Sequence, residues 1–158
     1  MLDLTNDAQA LAEATVAALQ AKETLPGAMK MQLVDTRPGY ARLSMVVADF
    51  MLNAHGMCHG GMIFSLADTA FAYACNNRNH NTVGAACTID YTAPAFPGDV
   101  LQAEATETFM AGRTGVYDVV VTNQTGQLIA LFRGKSHRIR GEVLASMSDA
   151  ASAESKAD

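Results

Sequence analysis

The chain has no tryptophan, four prolines, three cysteines and only 17% charged residues among its 158. Each shortage excludes something. Cys58, Cys75 and Cys87 are odd in number and lack CxxC spacing, which argues against a disulfide framework or a zinc cage. That cysteine usage fits a reducing compartment, so a cytoplasmic location is expected. No apolar run reaches the ~20 residues of a membrane-spanning helix, so no membrane partner is expected. Eleven basic residues face 16 acidic ones, and a net charge of −5 argues against a general nucleic-acid binder. The N-terminal stretch carries Asp3, Asp7 and Glu13 without a basic flank or signal core, and reads as unprocessed. No G-x-S-x-G occurs, which removes the serine-hydrolase elbow.

What is present is apolar: 49% of the residues are hydrophobic. So little charge implies a large core or a surface covered by a second chain. The pattern predicts a helix from residue 7 to about 21, capped by Asn6, with Gln9 in the capping-box position and Leu11, Ala12, Val16 and Leu19 on one stripe. Strands are expected at 30–36 and 40–48, on either side of Arg37-Pro38-Gly39, a turn signal. A loop from Asp49 to His59 leads into the longest helical candidate, 61–77, apolar on every face and so expected to be buried all round. Strand-like runs follow at 82–91, 100–109, 114–123 and 127–138, the last two flanking Gln124-Thr125-Gly126. Residues 1–144 are expected to form one domain and the Ala/Ser-rich 145–158 a disordered tail. One buried helix with six strands calls for an α+β arrangement, an antiparallel sheet wrapped around the helix.

Asp68 is the one charged residue between Gly60 and Asn77. A lone carboxylate in an apolar helix is costly unless paired or solvated, so it either meets a polar seam or lines a cleft that needs an acid. At the entry to the same helix stands His59-Gly60-Gly61. Free first-turn N–H groups and the positive dipole end suit an oxyanion there. Four of the eleven basic residues, Arg133, Lys135, Arg138 and Arg140, fall in 133–140, either as a solvated strand end or, with Arg113, as a dock for phosphates. Alternation puts Arg133 and Lys135 on one face and Arg138 and Arg140 on the other. His55 and His59 have metal-ligand spacing but precede the helix and lack a zincin glutamate, so no metal is expected. Cys58 beside His59 lacks a third orienting group for a thiol nucleophile.

The helix geometry bears on assembly. At about 1.5 Å per residue, Gly60 and Asp68 lie ~12 Å apart on one axis. An oxyanion donor and a base or nucleophile must both sit within ~3 Å of one reacting carbonyl. Two antiparallel copies of the helix would bring Gly60 of one near Asp68 of the other.

Asn53-Ala54-His55-Gly56-Met57-Cys58-His59-Gly60-Gly61, six residues, then Asp68 resembles the signature of the hot-dog-fold acyl-coenzyme A thioesterases. Thr69 through Asn76, Thr88-Ile89-Asp90-Tyr91, Pro94, Gly98-Asp99, Gly112 through Asp118 and Arg133 through Arg138 resemble its phenylacetic-acid-degradation (PaaI-type) branch, covering about 25–140. The resemblance implies a hot-dog fold and hydrolysis of an acyl-coenzyme A to free acid and coenzyme A. The implied substrate is phenylacetyl-coenzyme A or a ring-hydroxylated form, in phenylacetate catabolism. It implies that Asp68 activates water or attacks the thioester carbon, that the Gly60 N–H polarises the carbonyl, that Asn53 places the carboxylate or its water, and that His59 orients the loop. Gly61, Thr69, Arg113, Arg133, Lys135 and Arg138 are expected at the substrate or its coenzyme A portion. Some relatives set a water-holding hydroxyl on the strand after the helix; Gly84-Ala85-Ala86 offers none, leaving Thr69 or Thr88 as substitutes. The family also implies a homodimer with a continuous sheet and shared active sites, paired into a homotetramer. No cofactor is expected beyond the coenzyme A of the substrate. Two other readings stand beside this one: a non-catalytic acyl-coenzyme A-binding module on the same fold, which would not need Asp68, and a dehydratase, which would need a His–acid pair in a different entry motif.

Overall fold

The computed structural model describes residues 7–145. Helix α1 spans Ala8–Lys22 and is capped by Asp7, whose carboxylate accepts the Gln9 and Ala10 N–H groups at 3.0 and 3.1 Å. Asn6, expected as the cap, lies outside the described residues. The Gln9 side chain reaches the Thr36 carbonyl at 2.8 Å, tying the helix to the sheet; the capping box expected with Asn6 involves a residue outside those described. A short helix α2, Leu25–Ala28, starts beside Pro26, which fits the first turn because it has no N–H to satisfy.

Six strands follow: β1 Gln32–Arg37, β2 Tyr40–Val46, β3 Thr82–Tyr91, β4 Val100–Ala111, β5 Thr114–Thr122 and β6 Leu128–Arg138. They form one antiparallel sheet in the order β1-β2-β4-β5-β6-β3. The long helix α3, Gly60–Asn76, packs across its concave face. This is the hot-dog arrangement, α+β, as expected. Alternation explains the core: Leu101, Ala103 and Ala105 of β4, Tyr117, Val119 and Val121 of β5, and Phe132 of β6 face inward and are buried. Ala67, Ala70 and Ala74 on the helix let it lie close to that face. At Gly134 a Cβ would stand 2.8 Å from the Phe71 ring, so only glycine lets the aromatic side chain seat on β6.

The helix is not buried all round in one chain. Phe64, Ser65, Asp68 and Ala72 stay half-buried while their neighbours Leu66, Ala67, Ala70 and Phe71 are sealed. The spacing of these four keeps them on one helical face. The far end of α3 is fixed by Asn77, which is fully buried. It accepts the Gly39 N–H at 2.9 Å and donates to the Arg37 and Tyr40 carbonyls at 2.8 and 2.9 Å. Gly39, at φ +76°, makes the β1–β2 turn that presents these groups. The expected tail falls, apart from residue 145, outside the described residues.

Candidate active site

The loop before α3 is built by Asn53. Its Oδ1 accepts the His55 and Met57 N–H groups at 2.9 and 3.2 Å, and Leu52 and Cys58 pair across the loop mouth. His59 is the helix N-cap: its Nδ1 accepts the Gly61 N–H at 2.9 Å and its carbonyl accepts Met62 N–H. That bond makes Nδ1 an acceptor and uses the Gly61 donor. The Gly60 N–H has no acceptor among the described residues. It opens on a cleft of about 410 Å³ lined by Asn53, Met57, Gly60, Ile63, Tyr91 and Pro94. The Tyr91 hydroxyl donates to the Gly60 carbonyl at 2.8 Å, and a Cβ on Gly60 would sit 2.9 Å from Tyr91 Cζ. Glycine is required there by the approach of the tyrosine. The result is an unspent amide at the positive end of a 17-residue helix, beside an apolar cleft.

Asp68 lies two turns further along the half-open stripe, in a second hollow of about 410 Å³ under β3. Phe64, Phe71, Cys75, Gly84 and Cys87 line it with Asp68. Phe64 meets Phe132 edge-on and Phe71 meets it at a tilt, with ring centroids 5.3 and 5.9 Å apart, giving the hollow an aromatic wall. Burial pushes the Asp68 carboxyl above the ordinary range, and the Cys87 thiol, 3.9 Å from Oδ1, pulls it part of the way back. No residue of the Gly60 cleft lines the Asp68 hollow. One chain therefore presents the two halves apart, as the helix geometry requires.

The other expected residues are dispersed. Thr69 is buried and spends its hydroxyl on the Ser65 carbonyl at 2.8 Å, and Thr88 is exposed on the outer face of the sheet. The group that reaches Asp68 from the following strand is a thiol, Cys87. Arg133 is held by Asp118 through two bonds of 2.6 and 2.8 Å, and Lys135 is exposed two residues along on the same outer face. Arg113 and Arg138 instead line a separate hollow with Arg78. His55 is exposed in the loop. Cys58 is buried and its thiol is pushed up to about 11, the opposite of an activated nucleophile.

Glu23 was not anticipated from the sequence. It accepts the Tyr73 hydroxyl at 2.9 Å and shares a third hollow with Asp68 and Thr69, between α3 and the 22–26 segment. Burial raises its carboxyl; the Tyr73 bond lowers it and the charge of Asp68 raises it further. Tyr73, held by Glu23, does not line the Phe64 and Phe71 hollow. No local pattern signals Glu23, because its partner lies 50 positions away.

The thioesterase superfamily model matches residues 55–130, the stretch that carries both halves of this site. The acyl-coenzyme A thioesterase PaaI of Escherichia coli strain K12 is 49% identical over 116 residues, 73% of this chain and 83% of that protein. The solved structure of the E. coli PaaI protein from the phenylacetic acid degradation operon matches with a TM-score of 0.85 at 43% identity, covering 86% of this chain and 99% of that one. The structure of smu.793 from Streptococcus mutans UA159 bound to acetyl CoA matches with a TM-score of 0.68 at 28% identity, covering 71% and 90%.

Proposed function

The chain belongs to the thioesterase superfamily, and from that premise we propose that it hydrolyses phenylacetyl-coenzyme A or a ring-hydroxylated form of it at a site shared by two protomers. It is an acyl-coenzyme A thioester hydrolase. The single observation that carries the proposed mechanism is the division of the site into two hollows that share no lining residue, one at the unspent Gly60 N–H and one at Asp68.

In the proposed arrangement the Gly60 N–H of one protomer polarises the thioester carbonyl and holds the oxyanion of the tetrahedral intermediate. The Asp68 carboxylate of the other attacks the carbonyl carbon or takes a proton from the attacking water. Asn53 and His59 act through the loop, Asn53 by folding it and His59 by fixing the first turn of α3. The coenzyme A thiolate leaves and takes up a proton that comes from water; where Asp68 is the nucleophile, that water then splits the Asp68–acyl anhydride, releasing the free acid and restoring the carboxylate. No metal or cofactor is invoked.

The pairing of chains is supported by the β3 edge. It is ten residues long, pairs only with β6 among the described strands, and carries no lysine, arginine or proline. Protected edges usually carry such groups; apart from Asp90 and an irregularity at Gly84–Ala86 this edge lacks protection, and its length suits a second copy that continues the sheet. The half-open stripe of α3 would be covered in the same step. The expected homotetramer would then form from two such dimers.

The aryl-acetyl preference rests on the Phe64 and Phe71 wall and on the PaaI likeness. A hydrolysis screen across aryl-acetyl, benzoyl, short-chain and long-chain acyl-coenzyme A esters tests it. The proposal expects the highest kcat/KM for a phenylacetyl ester. A clear optimum for an aliphatic chain would reject the acyl assignment, and binding without turnover of any ester would mean an acyl-coenzyme A-binding module instead.

A further inference from the structure

A small hollow of about 180 Å³ lies beyond the C-terminal end of α3, lined among others by Arg78, His80, Glu107, Arg113, Ser136 and Arg138. Arg78 is committed to Glu107, which it grips through both terminal nitrogens. Arg113 and Arg138 make no ion pair among the described residues. They stand directly across from each other, since the Arg138 N–H donates to the Arg113 carbonyl at 2.7 Å next to the Thr114–His137 pair. Like charges opposed on neighbouring strands destabilise a sheet unless an anion lies between them. The Ser136 hydroxyl is buried, with the residue only 1% exposed, and has no hydrogen-bond partner among the described residues; His80 Nδ1 is buried and unpartnered among them as well. An unsatisfied buried hydroxyl costs stability in the empty fold, which a ligand oxygen would relieve. Burial, and then the charge of Arg138, lower the His80 pKa, so the ring is neutral at pH 7 and has one N–H to donate.

We propose that this hollow is a subsite for a phosphate group, held between Arg113 and Arg138 with the Ser136 hydroxyl donating from its floor. Donors arriving from several directions match a tetrahedral oxyanion better than a planar carboxylate, and guanidinium forks suit its paired oxygens. Cys75 and Thr82 line both this hollow and that of Asp68, so the two adjoin across these side chains. About 10 Å of helix separates Asp68 from Cys75, so a phosphate seated here lies well away from the reacting carbon. The phosphate belongs either to the coenzyme A portion of the substrate or to a free phosphate. The first alternative alone rests on the acyl-coenzyme A reading.

The test is calorimetric titration of coenzyme A, pantetheine and inorganic phosphate into the wild-type protein, Arg138→Ala and Ser136→Ala. Losing one charge-assisted contact should weaken the phosphate-bearing probe roughly ten- to a hundredfold in Arg138→Ala. Pantetheine, which has no phosphate, should be unaffected. Weaker coenzyme A binding assigns the phosphate to the substrate; weaker binding of inorganic phosphate alone assigns it to a free anion. Ser136→Ala should also raise Tm in phosphate-free buffer, because it deletes an unsatisfied group. If neither variant changes affinity for either phosphate-bearing probe, the subsite is wrong. Failure of the hydrolase reading appears separately, as a wild-type protein that turns over no acyl thioester.

Discussion

At Asp68 two demands conflict. The proposed mechanism needs the carboxylate ionised, while burial holds its proton more tightly than in an unfolded chain. The consequence for rate is an acid limb: kcat/KM should fall as pH drops, at a pH above the ordinary carboxylate range. Asp68→Asn should lower kcat by at least ~10²–10⁴, with the fold intact by circular dichroism. The consequence for stability has the opposite sense. A folded-state pKa that is raised contributes stability fully present below the unfolded aspartate value and lost as pH rises through the folded value. At neutral pH, therefore, Asp68→Asn should melt at a higher temperature than wild type, and the gap should close in acid. A variant with lower Tm at pH 7 would mean that the carboxylate is paired with a group that favours its charge. Gly60 offers a second residue test. Gly60→Ala keeps the N–H but drives a methyl into the Tyr91 ring, and displacing the amide should reduce kcat, by up to roughly the 10²-fold of a lost oxyanion donor. Near-normal turnover would mean that the close approach of Tyr91 to Gly60 does not position the amide for the reaction.

Elements are held in place by a few contacts that can be broken singly. Asn77→Ala leaves the Gly39 N–H and two carbonyls of the β1–β2 turn without their partner and should cost about 2–4 kcal/mol, read from urea denaturation. Gly134→Ala should cost about 1–3 kcal/mol through its clash with Phe71, while Ala130→Gly on the same strand, creating no clash, should show a smaller effect of different origin. Strands and helices were legible because alternation and apolar content are local: the bounds expected for β3, 82–91, coincide with those observed, and β6 begins one residue later than expected. Ends set by side-chain choice were less so. Asp7 rather than Asn6 caps α1, and both are good caps, so composition alone does not separate them. Asn77 reads as the last residue of a helix, and nothing near it in sequence reveals that its partners are 37 to 40 positions away. The apolar content of α3 suggested burial on every side. The half-open stripe through Asp68 departs from this, and in the proposed dimer a second copy of the chain would cover it.

For the whole molecule, the proposed dimer accounts for three features of the single chain. Its β3 strand is paired on one side only among the described strands, its long helix is open along one stripe, and its two candidate hollows lie apart. The family signature made the components of the site legible in sequence, Asp68 and Gly60 foremost. Their separation followed from the helix rise alone, whereas the basic hollow of Arg78, Arg113 and Arg138 required the strand pairing to be known. The most direct measurement is complementation between two damaged variants. Asp68→Ala removes the acid, and Asn53→Ala removes the acceptor that folds the loop before Gly60. If each site takes its loop from one protomer and its acid from the other, a mixed dimer has one doubly damaged site and one intact site. Unfolding the two variants together and refolding should give about half mixed dimers, and so recover about a quarter of wild-type activity. Each variant refolded alone, nearly inactive, is the control. Recovery toward that quarter is the predicted result; demonstrated mixed dimers with no gain over the controls would place both groups within one chain and contradict the shared site.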